Sequence, residues 1–446
     1  LYNGPYYLKN LTSKSQIELV KNKEYYDEKN VHIDNVKLTY NDGSDPESVI
    51  KKFENGQYSF ATVMPNSSTY KSVKKKFGDN IVYGVQYGTS YYLGFNIDRQ
   101  KYNHTAKTTD AQKSSTKQAI LNKDFRQAVN FAFDREAYAA QANGKDGASK
   151  LIRNLYIPPT FVQADGKTFG EMVKSELVTY GDEWKDANLD DGQNGLYNEK
   201  QAKEEFAKAK SALEADGVKF PIHLDMPVDQ TTQSKVQRAQ SFKQSVESTL
   251  GKENVVVDIH MVSKEDLLNV TLFAAKAEDE DWDISDNVGW SPDYQDPSTY
   301  LDILKASSGE NTRTFLGFDP SENNEAAKKV GLYDFEKMVT EAGAETQDLN
   351  KRYEKYAAAQ AWLTDSALVI PTTSKTGRPF LTRVVPFSAP FGWTGGKGKD
   401  NVVYKGMELQ DKAVTTEDYN KALEKWKKEQ AESNQKAQEE LKDHVK

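Results

Sequence analysis

The residues best suited to binding chemistry lie in one short stretch, residues 286–297, with the sequence DNVGWSPDYQDP. The stretch follows the carboxyl end of a predicted core strand, which is where α/β sheets place their ligands. Its backbone at residues 289–292 can pair with an extended peptide while Asp293 stays ionised and accepts the α-ammonium group. A tight turn, in which Asp293 and Asp296 cap a helix beginning near Pro297, explains the same residues equally well.

The rest of the sequence offers no convincing catalytic or metal-binding constellation. It has no cysteine, no Gly-x-Ser-x-Gly motif, no phosphate-binding loop and no dinucleotide fingerprint. The acidic run within residues 278–283 is interpreted as a solvated turn, and the glycine-rich residues 395–399 as a flexible loop. The histidines lack metal-ligand spacing and are interpreted as ordinary exposed or half-buried side chains: His32, His104, His223, His260 and His444. We therefore predict no enzyme activity, no cofactor and no metal site.

Charge and length limit the partners and the domain number. The chain has 59 Lys and Arg against 67 Asp and Glu, a net charge of −8, and acids are interleaved with the bases throughout. Neither nucleic acid nor an anionic membrane is therefore an expected partner. No apolar run approaches the roughly 20 residues of a membrane span. At about 150 residues per domain, 446 residues predict two or three domains.

The pattern of elements predicts an α/β fold. Alternating apolar residues indicate strands within 220–226, 255–261 and 282–290, with helices between them. This β-α-β-α-β order favours parallel pairing with right-handed crossovers. A helix is predicted over residues 124–137, with Arg126 and Arg135 away from its apolar positions.

Two composition breaks are candidate domain boundaries. Residues after the predicted strand 91–97 turn polar, and residues 103–115 are interpreted as a surface insertion. The second break is the aromatic, Gly- and Pro-rich stretch 386–396.

Four segments, in order, resemble one known family. They are residues 3–9 (NGPYYLK), 21–27 (KNKEYYD), 125–135 (FRQAVNFAFDR) and 289–297 (GWSPDYQDP). Through them nearly the whole chain resembles the oligopeptide-binding proteins of bacterial ABC importers (cluster C solute-binding proteins), especially the streptococcal Ami/Ali-type lipoproteins.

The resemblance implies a two-lobed type II periplasmic-binding-protein fold, α/β in class, with mixed sheets flanked by helices and lobes that close by hinge motion. It assigns residues 1–96 and 386–414 to lobe I and residues 97–385 to lobe II, which carries the peptide-binding strand. Residues 415–446 form a charged C-terminal helix, and the hinge lies near Asn96 and Pro390. Because family members carry further N-terminal segments, we expect the first part of lobe I to be absent from this chain.

The resemblance also implies which residues bind peptide. Gly289, Trp290 and Ser291 match the strand that pairs with peptide backbone in relatives, and Asp293 matches the acid that holds the α-ammonium group. The candidate peptide-binding residues are Gly289, Trp290, Ser291, Pro292, Asp293, Tyr294, Asn287 and Gln233.

Two positions depart from the family pattern. Asn287 and Val288 stand where some relatives place an arginine that meets a peptide carboxylate, and Gln233 stands where one relative has a histidine. The departures predict looser recognition of the peptide C-terminus and tolerance of longer or variable peptides.

The implied function is that of a non-enzymatic solute-binding protein, which captures oligopeptides and delivers them to an ABC permease. The implied location is the extracellular face of the cell membrane, with a lipid anchor on an N-terminal cysteine that is missing here. We expect a monomer, or one paired with a separate N-terminal fragment. Two alternatives stay open, a hydrolase acting on peptides or glycans and a surface or adhesive module with residues 415–446 as its contact helix.

Overall fold

The computed structural model describes residues 3–41, 45–86, 88–375, 378–388 and 402–444. The chain forms two compact units, one of residues 1–85 with 376–446 and one of residues 86–375. These divisions lie about ten residues before the predicted lobe boundaries at 96/97 and 385/386. The first differs because the strand Ser90–Phe95 pairs within the larger unit, and the second because the strand Pro379–Thr382 pairs within the smaller one. The predicted hinge position Pro390 and the predicted loop 395–399 lie outside the described residues.

The smaller unit contains two three-stranded antiparallel sheets, in the orders β1-β2-β3 and β4-β13-β5. Their strands are β1 (Tyr6–Thr12), β2 (Gln16–Lys21), β3 (Asn35–Thr39), β4 (Phe60–Thr62), β5 (Val82–Tyr83) and β13 (Pro379–Thr382). The helices of this unit are α1 (Pro46–Glu54), α2 (Tyr70–Phe77), Val402–Lys405 and Thr416–His444. Each sheet has its own core, around Phe53 and Leu381 in one and around Tyr6 and Val36 in the other.

The larger unit combines short sheets with many helices. Its strands are β6 (Ser90–Phe95), β7 (Gln163–Ala164), β8 (Lys167–Thr168), β9 (Ile222–Asp229), β10 (Val255–Val262), β11 (Ile284–Trp290) and β12 (Val369–Ser374). Its helices are α3 (Asp110–Leu121), α4 (Lys123–Ala132), α5 (Arg135–Gly147), α6 (Phe169–Leu177), α7 (Glu199–Ala215), α8 (Gln233–Leu250), α9 (Lys264–Asn269), α10 (Ser298–Leu301), α11 (Thr312–Leu316), α12 (Glu325–Lys329), α13 (Leu332–Ala344) and α14 (Leu349–Ser366). Among the described residues, no helix has the length and apolar character needed to cross a bilayer.

The predicted parallel pairing is confirmed for β9 and β10, which α8 connects. It is wrong for β11, which pairs antiparallel with β6 in a separate sheet of order β11-β6-β12. The strands of that sheet lie far apart in the chain, so no local alternation of strand and helix reveals their pairing.

The predicted helix 124–137 is two helices, α4 and α5, because Asp134 interrupts it and accepts the N–H groups of Glu136 and Ala137 as the cap of α5. Arg126 and Arg135 are fully buried, although their helical positions predicted otherwise. Their guanidinium groups donate to the backbone carbonyls of Ser366 and Pro371, respectively, at 2.8 Å. Buried carbonyls at element ends need such donors, and apolar side chains cannot provide them.

A buried ionic network joins the segments that flank β6, β9 and β11. Arg99 donates to Asp225 at 2.7 Å and to Asp281 at 2.9 Å, and lies 2.9 Å from an oxygen of Asp283. Lys107, whose side chain has no exposed surface, contacts both Asp225 and Asp283. Burial alone would raise the pKa of Asp225, but His260 and the two cations hold it well below its ordinary value.

The network overturns two predictions. The acidic run 278–283 is not a solvated turn, because Asp281 and Asp283 are buried partners of Arg99. Residues 103–115 are not a surface insertion, since they supply Lys107 to the network and then enter α3. Two of the histidines lie at its rim, His104 beside Asp281 at 2.9 Å and His260 beside Asp225 at 2.7 Å.

Replacing Arg99 with methionine is expected to lower the free energy of unfolding by about 3–5 kcal/mol, because it leaves buried carboxylates with too few cations. Equilibrium unfolding in urea, followed by circular dichroism, measures the change. The matched control is Lys101→Met, which removes a partly exposed pair with Asp279 and should cost less than about 1 kcal/mol. Equal losses in the two variants would contradict the role assigned to the network.

Glu280 is a buried carboxyl group with an incomplete set of hydrogen bonds. Its Oε2 accepts from the indole of Trp282 at 2.5 Å, and its Oε1 has no partner among the described residues. Burial raises its pKa from the ordinary value of 4.5 to about 8, although the Trp282 hydrogen bond opposes the shift.

Between pH 4.5 and 8 the folded state therefore keeps a proton on Glu280 that the unfolded state has lost, so stability falls as the pH rises through this window. In this window Glu280 should lower the free energy of unfolding by up to about 1.4 kcal/mol per pH unit, and we expect Glu280→Gln to remove this pH dependence. Urea unfolding of variant and parent at several pH values checks this. Glu278→Gln, on the same turn but exposed, should leave the slope unchanged.

Candidate functional site

Strand β11 forms the outer edge of the sheet β11-β6-β12. Val288 lies opposite Tyr92, Gly289 opposite Tyr91 and Trp290 opposite Ser90. Apart from this pairing, the backbone of residues 289–291 makes no hydrogen bond with another described residue. The end of β11 therefore offers one side of its backbone to an added strand.

Gly289 is required by the ring of Tyr91 on the neighbouring strand. A Cβ atom at position 289 would lie 2.5 Å from that ring, closer than real contacts allow. Because residue 289 has no side chain, the Tyr91 ring can lie against it, and residue 289 itself stays exposed. A glycine in a strand often marks such a close approach.

Trp290 and Ser291 are fixed by hydrogen bonds behind the exposed edge. The indole Nε1 of Trp290 donates to the carbonyl of Thr299 at 2.7 Å, and the hydroxyl of Ser291 lies 2.7 Å from that of Thr89. Pro292 is buried and ends the run of strand residues. These contacts restrain the side chains at the end of β11.

The two aspartates of the segment have different environments. Asp296 accepts the N–H of Ser298 at 3.0 Å, at the start of α10, and both its oxygens accept from Arg352 at 2.9 Å. Burial would raise the pKa of Asp296, but Arg352 lowers it below its ordinary value. Asp293 is exposed, and its carboxylate has no partner among the described residues; only its backbone N–H is engaged, with the Thr299 hydroxyl at 3.1 Å. The helix-cap interpretation therefore holds for Asp296 and not for Asp293.

A cavity of about 250 Å³ opens beside Asp293. Trp290 and Tyr294 contribute aromatic surface to its lining, and Asp293 and Glu310 contribute carboxylates. Tyr294 has 53 % of its surface exposed, so it can meet a ligand in this cavity. The cavity can accept an extended ligand with a positively charged end.

The two remaining candidates are less closely tied to this edge. Asn287 lies on β11, and Gln233 is the first residue of α8; no described contact joins Gln233 to residues 289–294. Near Asn287, the half-buried Asp286 accepts from the hydroxyl of Tyr138 at 3.2 Å. Burial raises the pKa of Asp286 above its ordinary value, against the charges of Lys235 and Arg238. Asp286 is the first residue of the stretch 286–297, but the sequence did not reveal its contact with Tyr138, which lies 148 positions earlier.

The site holds no evident metal-binding set. Among residues 3–41, 45–86, 88–375, 378–388 and 402–444, no three histidine or acidic side chains are placed to hold a metal ion.

Comparison with known proteins gives a family for the chain. Residues 1–312 match the model of bacterial extracellular solute-binding proteins, family 5 Middle. The chain belongs to this family of solute-binding proteins. It is 66 % identical over 446 residues to the oligopeptide-binding protein SarA of Streptococcus gordonii, of which it covers 67 %. It is 62 % identical over 447 residues to the oligopeptide-binding protein AliA of Streptococcus pneumoniae, covering 68 %. The chain thus spans about two thirds of the length of these relatives, and its predicted family membership is confirmed.

Solved structures share the fold of this family member. The substrate-binding domain of an oligopeptide ABC transporter from Bacillus anthracis superposes with a TM-score of 0.58 at 21 % identity, over 92 % of this chain and 65 % of that one. OppA of Listeria monocytogenes, bound to peptide, gives 0.57 at 21 % identity with the same coverage. The predicted α/β class with mixed sheets and flanking helices is confirmed.

Arg352 is a residue of this region that the sequence did not reveal, because it lies 56 positions from Asp296. We expect Arg352→Lys to loosen residues 293–299, because lysine cannot form the paired hydrogen bonds with Asp296. The free energy of local opening of this segment should fall by about 1.5–3 kcal/mol. Hydrogen exchange with mass spectrometry should show faster exchange in that segment. Lys351→Arg, an exposed neighbour on α14, should leave the exchange unchanged, and a parental rate in Arg352→Lys would refute the assignment.

Proposed function

We propose that this chain captures oligopeptides outside the cell and delivers them to the permease of an ABC importer, without chemical conversion of the peptide. The observation that carries the proposal is the open backbone edge at residues 289–291, followed directly by the unpaired carboxylate of Asp293. The chain's relatives in Streptococcus gordonii and Streptococcus pneumoniae are oligopeptide-binding proteins, which supports the same substrate class.

In the proposed complex an extended peptide adds to β11 as a further strand. Backbone hydrogen bonds at residues 289–291 are independent of peptide sequence, so they suit a protein that accepts many peptides. Asp293 receives the α-ammonium group and sets the register, because a carboxylate with no partner among the described residues gains a full charge-assisted bond. Trp290 and Tyr294 border the first side chain, with Pro292 holding the turn between them.

Asn287 and Gln233 are proposed to have a minor role. Neither side chain carries a charge, so neither can fix a peptide carboxylate as an arginine would. Peptides of several lengths are therefore expected to bind.

The remaining parts of the proposal follow from the family. The proposed location is the extracellular face of the cell membrane, with a lipid anchor on a cysteine outside this sequence. The partners are a peptide and the permease subunits, and the binding unit is a monomer. A segment outside this sequence is proposed to complete lobe I, to which this chain contributes residues 1–85 and 376–414.

Asp293→Asn is expected to weaken the binding of peptides with a free amino terminus by about 1.5–3 kcal/mol, roughly ten- to a hundredfold in Kd. The probe is a hexapeptide selected from a synthetic library by retention on the 446-residue chain, measured by calorimetry. The same hexapeptide with an acetylated amino terminus should lose a similar amount with the parent protein. Because both changes remove the same interaction, combining them should weaken binding little more than either change alone.

Asp216→Asn is the matched control, since Asp216 is an exposed acid of the same unit with no side-chain partner among the described residues. It should bind the free hexapeptide like the parent. Additive losses from Asp293→Asn and acetylation would exclude Asp293 as the partner of the amino terminus. Mass spectrometry of the recovered peptide should show it intact, and cleavage would instead favour the hydrolase alternative.

A further inference from the structure

A second cavity, of about 400 Å³, lies in the larger unit where the junction of α3 and α4 meets the end of α14 and the start of α13. None of its lining residues belongs to the peptide site described above. Its lining is basic and aromatic, and the residues that matter here are Arg126, Lys123, Lys329, Gly331, Trp362 and Tyr180. A volume of this size is in the range that holds a small organic molecule.

Arg126 presents a buried cation to this cavity. It is only 1 % exposed, and its Nε and Nη1 donate to the carbonyls of Ser366 and Ile120 at 2.8 and 2.6 Å. Its Nη2 donates to no described residue, and no carboxylate bonds to the guanidinium. Burial lowers the pKa of Arg126 to about 9, so the group still carries its charge at neutral pH. Asp365 and Asp124 attract this charge without accepting a hydrogen bond from it, and a buried cation with no hydrogen-bonded anion marks a place where an anion would gain.

The one carboxylate in the lining does not neutralise Arg126. Asp365 is almost fully buried, and its Oδ1 accepts from Gln127 and Trp184, both at 2.9 Å. Its Oδ2 accepts from Lys123 at 2.8 Å. The charge of Asp365 is therefore satisfied by its own partners, which leaves the cavity with an excess of positive charge.

The start of α13 adds further anion-binding groups. The N-cap, Gly331, has φ +82° and supplies no side-chain cap, so the first N–H groups of this 13-residue helix stay without one. Lys329 precedes it, is exposed, and has no partner among the described residues. Helix N-termini with free N–H groups bind anions, and here a nearly buried arginine lines the same cavity.

The aromatic side chains that line the cavity indicate the chemistry of the rest of the ligand. Trp362 lies against Gly331, where a Cβ atom would approach its ring to 3.1 Å, and its ring packs on Phe335 at 5.4 Å. The half-buried Trp362 and the exposed Tyr180 thus offer flat apolar surface beside the cationic groups. An aromatic ring stacks well on such surfaces.

We propose that this cavity binds a small aromatic carboxylate, with its anionic group at Arg126, Lys329 and the start of α13, and its ring against Trp362. The site is separate from the peptide edge. The carbonyls of Ala342 and Gly343 at the far end of α13 bind Arg352, which holds Asp296. The helix between them is about 20 Å long, at 1.5 Å per residue.

The test uses indole-3-acetate as the probe, with the neutral indole-3-acetamide as its matched analogue, in calorimetric titrations of the 446-residue chain. We expect saturable binding of the carboxylate with a Kd below about 1 mM, at least about tenfold tighter than the amide. Lys329→Gln should weaken carboxylate binding about three- to tenfold. Lys337→Gln, on the exposed side of the same helix and paired with Asp334, should leave it within about twofold of the parent.

Arg126→Gln removes the buried cation and should reduce the preference for the carboxylate over the amide. Because this variant can also disturb folding, its circular dichroism and melting temperature are compared with the parent. Lys329→Gln, which changes an exposed side chain, is the variant that decides the outcome. Failure of the parent to bind indole-3-acetate, equal binding of the amide, or equal effects of Lys329→Gln and Lys337→Gln would each overturn the proposal.

Discussion

The larger unit depends on one electrostatic constraint, the placement of Arg99 and Lys107 among Asp225, Asp281 and Asp283 in its interior. Burying charges is costly unless they meet their opposites, so these five residues fix the relative positions of the segments that carry them. Those segments adjoin β6, β9 and β11. The parallel pair β9-β10 and the sheet β11-β6-β12 are thereby held to each other by ions instead of by shared strand pairing.

The same network anchors the strand that carries the candidate peptide site. The start of β11 is anchored, since Asp283 bonds through its backbone N–H to the carbonyl of Asp225 at 3.0 Å. The far end of the strand extends to the sheet edge, where Gly289 and Trp290 keep an open backbone. Arg352 makes two nearby acids different. It pairs with the carboxylate of Asp296, whereas the carboxylate of Asp293 stays available for a ligand.

Local patterns predicted what depends on local sequence. The alternation of Ile222, Leu224 and Met226 indicated β9, and the alternation that ends at Trp290 indicated β11. The peptide-binding role of the segment GWSPDYQDP stays a prediction. The partner of β11 was not predictable, because β6 lies about 190 residues earlier in the chain and alternation carries no information on such pairing. The polarity of the acids within 278–283 predicted a solvated turn, and the spacing around Arg126 and Arg135 predicted only that they lie away from the apolar positions. Their partners, backbone carbonyls and distant ions, are properties of the folded chain.

The pairing of β6 with β12 has a consequence for how the chain is divided. Ser90, near the first residue of the larger unit, lies opposite Ser374, near its last. Paired residues of antiparallel strands have Cα atoms only about 5 Å apart. The larger unit therefore begins and ends at one place and has the construction of an inserted domain, which a short linker could replace within the smaller unit. The two chain connections of the larger unit therefore leave it side by side.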